Sequence, residues 1–123
     1  MSVENTIDAV RLAMNLQDLR ARVASMNVAN AGKPDATALR VDFAKAEAAL
    51  REVARAGNET EAVRWLATAS DALRATEPQQ GMDPIRLDSE IGDISTAGIQ
   101  YQALTEALNR QFGLMRIAIA GRI

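Results

Sequence analysis

The amino-acid sequence predicts an all-α protein in which long N- and C-terminal helices pair as an antiparallel coiled coil, with a short central αα-hairpin between them. Three features predict this fold. Apolar residues recur every three or four positions, alanine is abundant, and proline and glycine interrupt the pattern at only a few places. Strand-like alternation is missing, so no sheet is expected. A chain of 123 residues, 48% of them hydrophobic, is expected to form one domain.

The first predicted helix covers residues 1–31 and ends where Asn30, Gly32 and Pro34 suit a left-handed C-cap and then forbid continuation. At about 100° per residue it has two opposed apolar faces. One face carries Val3, Ile7, Val10 and Met14, and the other carries Leu12, Leu16, Leu19, Val23 and Met26. Such a helix must be contacted from two directions. Either it lies at the centre of a four-helix bundle, or other subunits cover the second faces.

The middle of the chain, residues 42–76, predicts the αα-hairpin. Asp42 is a candidate N-cap for a helix that runs to Ala56 and is closed by Gly57. Asn58 and Glu61 then resemble a capping box that opens the second helix. Two prolines and a glycine follow in residues 77–87, which we therefore expect to be a non-helical connector.

The last predicted helix covers residues 88–120, with Asp88 as its N-cap. An apolar stripe at strict 4-3 spacing predicts a coiled-coil seam, formed by Leu87, Ile91, Ile94, Gly98, Tyr101, Thr105, Leu108, Phe112, Met115 and Ile119. A weaker second stripe contains Ile99, Ala103, Ala107, Leu114 and Ile117. This helix would be about 50 Å long, whereas a compact chain of this size has a radius of gyration of about 14 Å. The seam therefore needs another long helix, from the same chain or from a neighbour.

The residue inventory excludes several classes of function. The sequence has no cysteine and no histidine, so thiolate nucleophiles, imidazole bases and the usual zinc sites are absent; we expect no enzyme, no metal and no cofactor. Its net charge of −2 offers no electrostatic footprint for nucleic acid. Apolar runs fall short of the ~20 residues that a membrane helix needs, so direct membrane insertion is not expected. The start lacks the pattern of a cleaved signal peptide, which predicts a cytosolic protein or one exported by another route.

Two blocks of sequence resemble a known family. Residues 27–34, Asn-Val-Ala-Asn-Ala-Gly-Lys-Pro, are similar to the N-terminal signature of bacterial flagellar rod and hook proteins, which reads roughly Asn-Ile-Ala-Asn-Ala-x-Thr-Pro-Gly-aromatic. The order Leu-Asp-Ser-Glu at 87–90, Tyr-Gln-Ala-Leu at 101–104 and Ala-Ile-Ala-Gly-Arg at 118–122 looks like the C-terminus of the small proximal rod protein of the basal body. Lys33, Asp35 and Ala36 depart from the threonine, glycine and aromatic residue of the signature. The two blocks cover about two thirds of the chain, and residues 44–82 show no such likeness.

The resemblance implies a structural subunit of the flagellar basal-body rod that self-associates through its terminal helices into a torque-transmitting helical tube. It implies export through the flagellar type III apparatus without a cleaved signal peptide. The expected partners are other rod subunits, the base at the inner-membrane ring and the export apparatus. The candidate interaction residues are Asn27, Asn30, Leu12, Leu16, Leu19, Ala103, Ala107, Leu108, Phe112 and Leu114. The alternative is a cytosolic helical adaptor or regulator that acts as a discrete dimer.

Overall fold

The computed structural model describes residues 1–121 and confirms the all-α class, with long first and last helices that pack together. In chain order the elements are α1 (Val3–Asn30), β1 (Thr37–Arg40), α2 (Ala44–Arg55), α3 (Glu59–Ala75), β2 (Gln79–Pro84) and α4 (Leu87–Ala120).

The helices α1 and α4 form an antiparallel pair. β1 follows the end of α1 and β2 precedes the start of α4, and the two strands pair, so both helix ends lie at the sheet. The helix α4 has 34 residues and α1 has 28, so α4 is about 9 Å longer than its partner. The last turn and a half of α4 therefore extends past the start of α1.

The helices α2 and α3 form the central hairpin. Their contact face consists mostly of small apolar residues, which let the two backbones approach closely: Ala46, Ala49 and Val53 on α2, and Ala62, Leu66 and Ala69 on α3, are buried. Asn58 caps α3 by accepting a hydrogen bond from the Glu61 backbone N–H at 2.9 Å. The Glu61 carboxylate in turn accepts from the Gly57 N–H at 2.9 Å, so the capping box closes one residue earlier than in the usual motif.

The two short strands were not expected from the sequence. β1 and β2 form an antiparallel pair in which Leu39 is opposite Gln80, and the register shifts between Thr37 and Leu39. Gly81 is required there because a Cβ at this position would lie 2.8 Å from the Ala38 carbonyl oxygen. The segment 77–87, predicted as a non-helical connector, thus contributes strand β2, which pairs with β1 where α1 ends and α4 begins.

The helix α1 lies between α4 on one side and the hairpin and β1 on the other. Its Ile7, Val10 and Met14 are half-buried, and Leu16 and Val23 on the opposite face are buried. Of the two alternatives drawn from its opposed faces, the structure therefore favours the one in which a single chain contacts both. The bundle is open, however: within residues 1–121, α4 packs against α1 and against no other helix.

The seam of α4 differs from the predicted one. Ile94 and Leu108 are half-buried in it as expected, whereas Leu87, Tyr101 and Met115 of the same edge are exposed. At the other edge the structure buries Glu90 and Ala97 and half-buries Leu104 and Gln111, each one residue before the predicted position. Ile91 and Gly98 are consequently exposed. Because Ala97 is small, α1 can approach α4 closely along this shifted edge.

Three helix ends also differ from expectation. Helix α2 begins at Ala44 with Phe43 at its N-cap position, so Asp42, the predicted N-cap, lies one residue earlier and accepts the Ala44 backbone N–H at 2.9 Å. Helix α4 begins at Leu87 with Arg86 at its N-cap position, so Asp88 lies inside the first turn and makes no side-chain capping bond. Helix α1 ends on Ala31 in right-handed conformation, and the left-handed residue of this turn is Asp35, with φ of 58°. The reversal of the chain is thus made after Pro34, whereas the sequence suggested Asn30 or Gly32.

Candidate interaction surfaces

Asn27 holds β1 against the end of α1. Its side chain, 1% exposed, donates from Nδ2 to the Leu39 carbonyl oxygen at 3.2 Å and accepts the Leu39 backbone N–H on Oδ1 at 2.8 Å. The amide therefore pairs with both polar groups of one strand residue, as a neighbouring strand would. This contact gives Asn27 a role within its own subunit.

Asn30 is placed differently although it belongs to the same motif. Its Nδ2 donates to the Met26 carbonyl oxygen at 3.0 Å, a bond within the last turn of α1. The side chain is half-buried and forms no hydrogen bond to another element of the described chain. Of the two asparagines, Asn30 is therefore the one whose amide can still be reached from outside.

The three leucines predicted as interaction residues on α1 lie on the face toward the hairpin. Leu16 is 3% exposed and shares a shallow cleft with Leu50 of α2. Leu12 and Leu19 are half-buried. A neighbouring subunit cannot reach Leu16 without displacing the hairpin.

An ion pair joins the sheet to α4. The Arg40 guanidinium lies 3.2 Å from a carboxylate oxygen of Glu90, whose side chain is almost completely buried. Neither residue was predicted from the sequence to be a site residue. The sequence does contain one indication. Glu90 precedes Ala97 and Leu104 by seven and fourteen residues and so lies on the same face of the helix, and a carboxylate on a face that packs into a core requires a partner.

A cleft of about 410 Å³ lies along the C-terminal half of α1, between α4 on one side and β1 with the start of α2 on the other. Its floor includes Arg20, which pairs with Glu47 and stacks over the Phe43 ring at 4.5 Å from the ring centroid. Among the described residues, the Arg20 Nε and Gln17 Oε1 atoms are buried without a hydrogen-bond partner. Because Arg20 and Arg40 are already paired with carboxylates, the cleft presents no concentrated charge to a ligand.

No group of three or more His, Cys, Asp or Glu side chains able to hold a metal ion occurs within residues 1–121. Over the same residues, no helix is both long and apolar enough to cross a membrane.

The outer face of α4 carries the remaining predicted interaction residues. Ala103, Ala107 and Leu114 are exposed, and Ile99 of the same stripe is 65% exposed. Leu108 is half-buried on the side of α1, and Phe112 is at the border of that contact with 37% of its surface exposed. This second stripe of α4 thus forms an uncovered apolar surface that runs along most of the helix.

Comparison with protein families, with curated proteins and with solved structures finds no match to this chain. The function must therefore be inferred from the surfaces described above.

Proposed function

We propose that this chain is a structural subunit of a bacterial flagellar basal-body rod, closest in kind to the small proximal rod protein, and that it assembles into a helical tube through its terminal helices. The observation that carries the proposal is the uncovered stripe of α4, Ile99 to Ile117. An exposed apolar stripe of this length, interrupted at Arg110 between Ala107 and Leu114, is typical of a protein interaction site. A face of this kind on a helix about 50 Å long suits lateral packing in a tube.

The turn after α1 supports the resemblance on which the proposal depends. Asp35 occupies the position of the signature glycine, and its φ of 58° is in the left-handed region that glycine adopts most readily. Aspartate is among the few other residues that tolerate this region. The substitution of Asp for Gly thus keeps the backbone shape that the signature would require.

Asn27 adds a second point of support. Its buried amide holds the strand that follows the signature turn, which gives a physical reason for an asparagine at this position. The resemblance then supplies the expected partners: other rod subunits, the base at the inner-membrane ring and the export apparatus. It also supplies the location, a periplasmic rod reached by type III export.

A torque-transmitting tube gives the two long helices a mechanical role. Long helices along the tube axis resist bending, and many weak lateral contacts between them distribute the load. In this proposal α1 stiffens each subunit, since its own chain covers it on both sides, and α4 makes the lateral contacts.

Electron microscopy of the purified full chain, alone and mixed with candidate rod neighbours, tests the proposal. We expect open-ended tubes or filaments, because contacts between different faces repeat from subunit to subunit and extend wherever the rotation does not close a ring. The competing function, a discrete helical adaptor, would pair the α4 stripe with its copy around a twofold axis and yield one sharp dimer. A dimer that never extends at any concentration or with any neighbour would refute the rod proposal.

Charge substitutions in the stripe provide the matched variant test. Ala107→Glu or Leu114→Glu places an unpaired charge in the proposed lateral interface and should abolish tube formation and motility. Helicity by circular dichroism should remain nearly unchanged, because both side chains are exposed in the subunit. Val63→Glu is the control, since Val63 is an exposed apolar residue on α3, outside this stripe. Normal assembly by both α4 variants would exclude the stripe as an interface.

A further inference from the structure

The end of α4 is largely uncovered, and its least exposed large apolar side chain, Met115, is still 38% exposed. Helix α4 continues to Ala120, past the start of α1, and every residue from 114 to 120 is exposed. Ile117 and Ile119 are 69% and 70% exposed and, at 100° per residue, point to nearly opposite sides of the helix. We call residues 114–120 the α4 tip.

The composition of the α4 tip indicates that it becomes enclosed. It reads Leu-Met-Arg-Ile-Ala-Ile-Ala, so Arg116 is its one polar side chain. A helix that is apolar all round is normally buried. A lateral neighbour on the Ile99–Ile117 stripe would cover Ile117 but leave Ile119 in water. A concave receptor would cover both.

The opposite end of the same molecule carries a concave surface. A cavity of about 1040 Å³ lies where the start of α2, the end of α3 and β2 meet, and it is lined by Ala72, Ala75 and Gly81 among others. Met82, beside it on β2, is 95% exposed. Both the α4 tip and this basal cavity therefore have apolar surface that the chain itself leaves uncovered.

The charges at the two ends are complementary. The basal cavity is lined by Asp42, Asp71 and Glu77, none of which forms an ion pair within residues 1–121. Of its two basic residues, Arg40 is paired with Glu90 and Lys45 remains. Between Glu106 and residue 121, α4 carries Arg110 and Arg116 and no carboxylate. Opposite charges at a contact favour the correct partner and orientation.

We propose that the α4 tip of one copy of this chain inserts into the basal cavity of the next copy. The contact joins two different surfaces at opposite ends of the molecule, so it repeats head to tail and produces an open strand of subunits. The inference deepens the proposed rod function, on which it rests for its setting. Ile99 to Ala107 of the α4 stripe make lateral contacts, and Leu114 and Ile117 make contacts along the strand as part of the tip. Ala107→Glu is therefore the variant that affects the lateral contact alone.

Cysteine cross-linking of the full chain tests the contact, and the absence of native cysteine makes the background clean. Ile117→Cys labels the tip and Ala75→Cys labels the cavity, and circular dichroism first verifies that both variants fold. A short bismaleimide should leave each single variant monomeric, convert an equal mixture of the two into a covalent dimer, and convert the double variant into a ladder. Val63→Cys in place of Ala75→Cys is the control and should give no dimer.

Two outcomes would overturn the inference. The mixture could stay monomeric, or Ile117→Cys alone could cross-link as well as the mixture, which would show that two tips contact each other.

A charge swap adds a second readout. Arg116→Asp should abolish the cross-linking of the mixture, and Asp71→Arg in the cavity variant should restore it. The same samples viewed by electron microscopy separate the two proposals. Tubes without the cross-link would retain the rod function and refute the tip contact, whereas a ladder without tubes would do the reverse.

Discussion

The two long helices of this protein differ in how completely their own chain covers them. Helix α1 is contacted by α4 on one side and by the hairpin and β1 on the other. Helix α4 is contacted by α1 along one line, and its outer stripe and its tip are exposed. Both helices have apolar residues on more than one face. The difference therefore arises from chain topology, because the central hairpin folds back onto α1.

This difference separates a scaffold helix from an interaction helix. Substitutions on α1 should change the stability of the isolated subunit, because the partners of α1 are always present. Substitutions on the outer side of α4 should change association and leave the subunit intact. Free energies of unfolding measured on matched pairs of variants therefore test whether the two helices differ in this way.

Truncation of a leucine gives the largest expected contrast. Leu16→Ala on α1 removes a side chain that is 3% exposed and should lower the free energy of unfolding by about 2–5 kcal/mol through lost burial and a cavity. Leu114→Ala on α4 removes one that is 55% exposed and should change it by less than about 0.5 kcal/mol. Urea unfolding at a concentration where the protein is monomeric measures both. Equal costs for the two variants would contradict the division into scaffold and interaction helices.

The two signature asparagines give the next contrast, both within the scaffold helix. Asn27→Ala leaves the Leu39 N–H and carbonyl groups without their partner and should cost about 1–3 kcal/mol. Asn30→Ala removes one exposed bond within a turn and should cost about 0.5 kcal/mol or less. Amide exchange at Leu39 should accelerate in the first variant and stay unchanged in the second. An unaffected Leu39 in Asn27→Ala would show that the buried amide does not hold the strand.

The helical part of the fold was predictable because its signals are local. Pro34, Pro78 and Pro84 prevent helix formation at their positions. Asn58 caps α3 by accepting a hydrogen bond from a backbone N–H only three residues later in the chain. The opposed faces of α1 likewise predicted contacts from two directions. They could not identify the contacting elements, since helical periodicity contains no information about topology.

The small sheet was not predictable by the same means. Its strands have four and six residues and are separated by two helices, so neither has enough alternating positions to be distinguished from a loop. Nonlocal contacts stabilise it: the Asn27 amide on Leu39, and the Gln80 side-chain amide that donates to the Thr37 carbonyl oxygen at 2.6 Å.

The register of the α4 seam was predictable only in part. The 4-3 spacing placed Ile91 and Gly98 in the seam, whereas the structure buries Glu90 and Ala97. Arg40 pairs with the buried Glu90 carboxylate and lies on β1, a strand that the sequence did not predict. The apolar pattern of α4 alone therefore could not predict that Glu90 would replace Ile91 in the seam. Of the candidate interaction residues, Ala103, Ala107 and Leu114 on α4 are exposed, whereas Asn27 and Leu16 are buried within the chain.

The smallest expected effect concerns how the start of α1 is tied to the hairpin, a restraint that the tip of α4 lacks within residues 1–121. The desolvation of Glu59 on α3 acts to raise its pKa, but hydrogen bonds from the side chain and backbone of Ser2, the Met1 amino group and Asn5 outweigh it and hold the pKa below its usual 4.5. A carboxylate with a lowered pKa in the folded state stabilises that state above the usual pKa, and the contribution is lost as pH falls through the lowered value.

Amide exchange in the first turn of α1 should therefore accelerate on acidification in the wild type, while Glu59→Gln should show fast exchange already at neutral pH. The effect should weaken with added salt because the pair is exposed. Exchange at the α4 tip serves as the internal control and should be the same in both proteins at every pH; a tip that responded to Glu59→Gln would show that the two ends are coupled and that the difference between the helices is smaller than their contacts indicate.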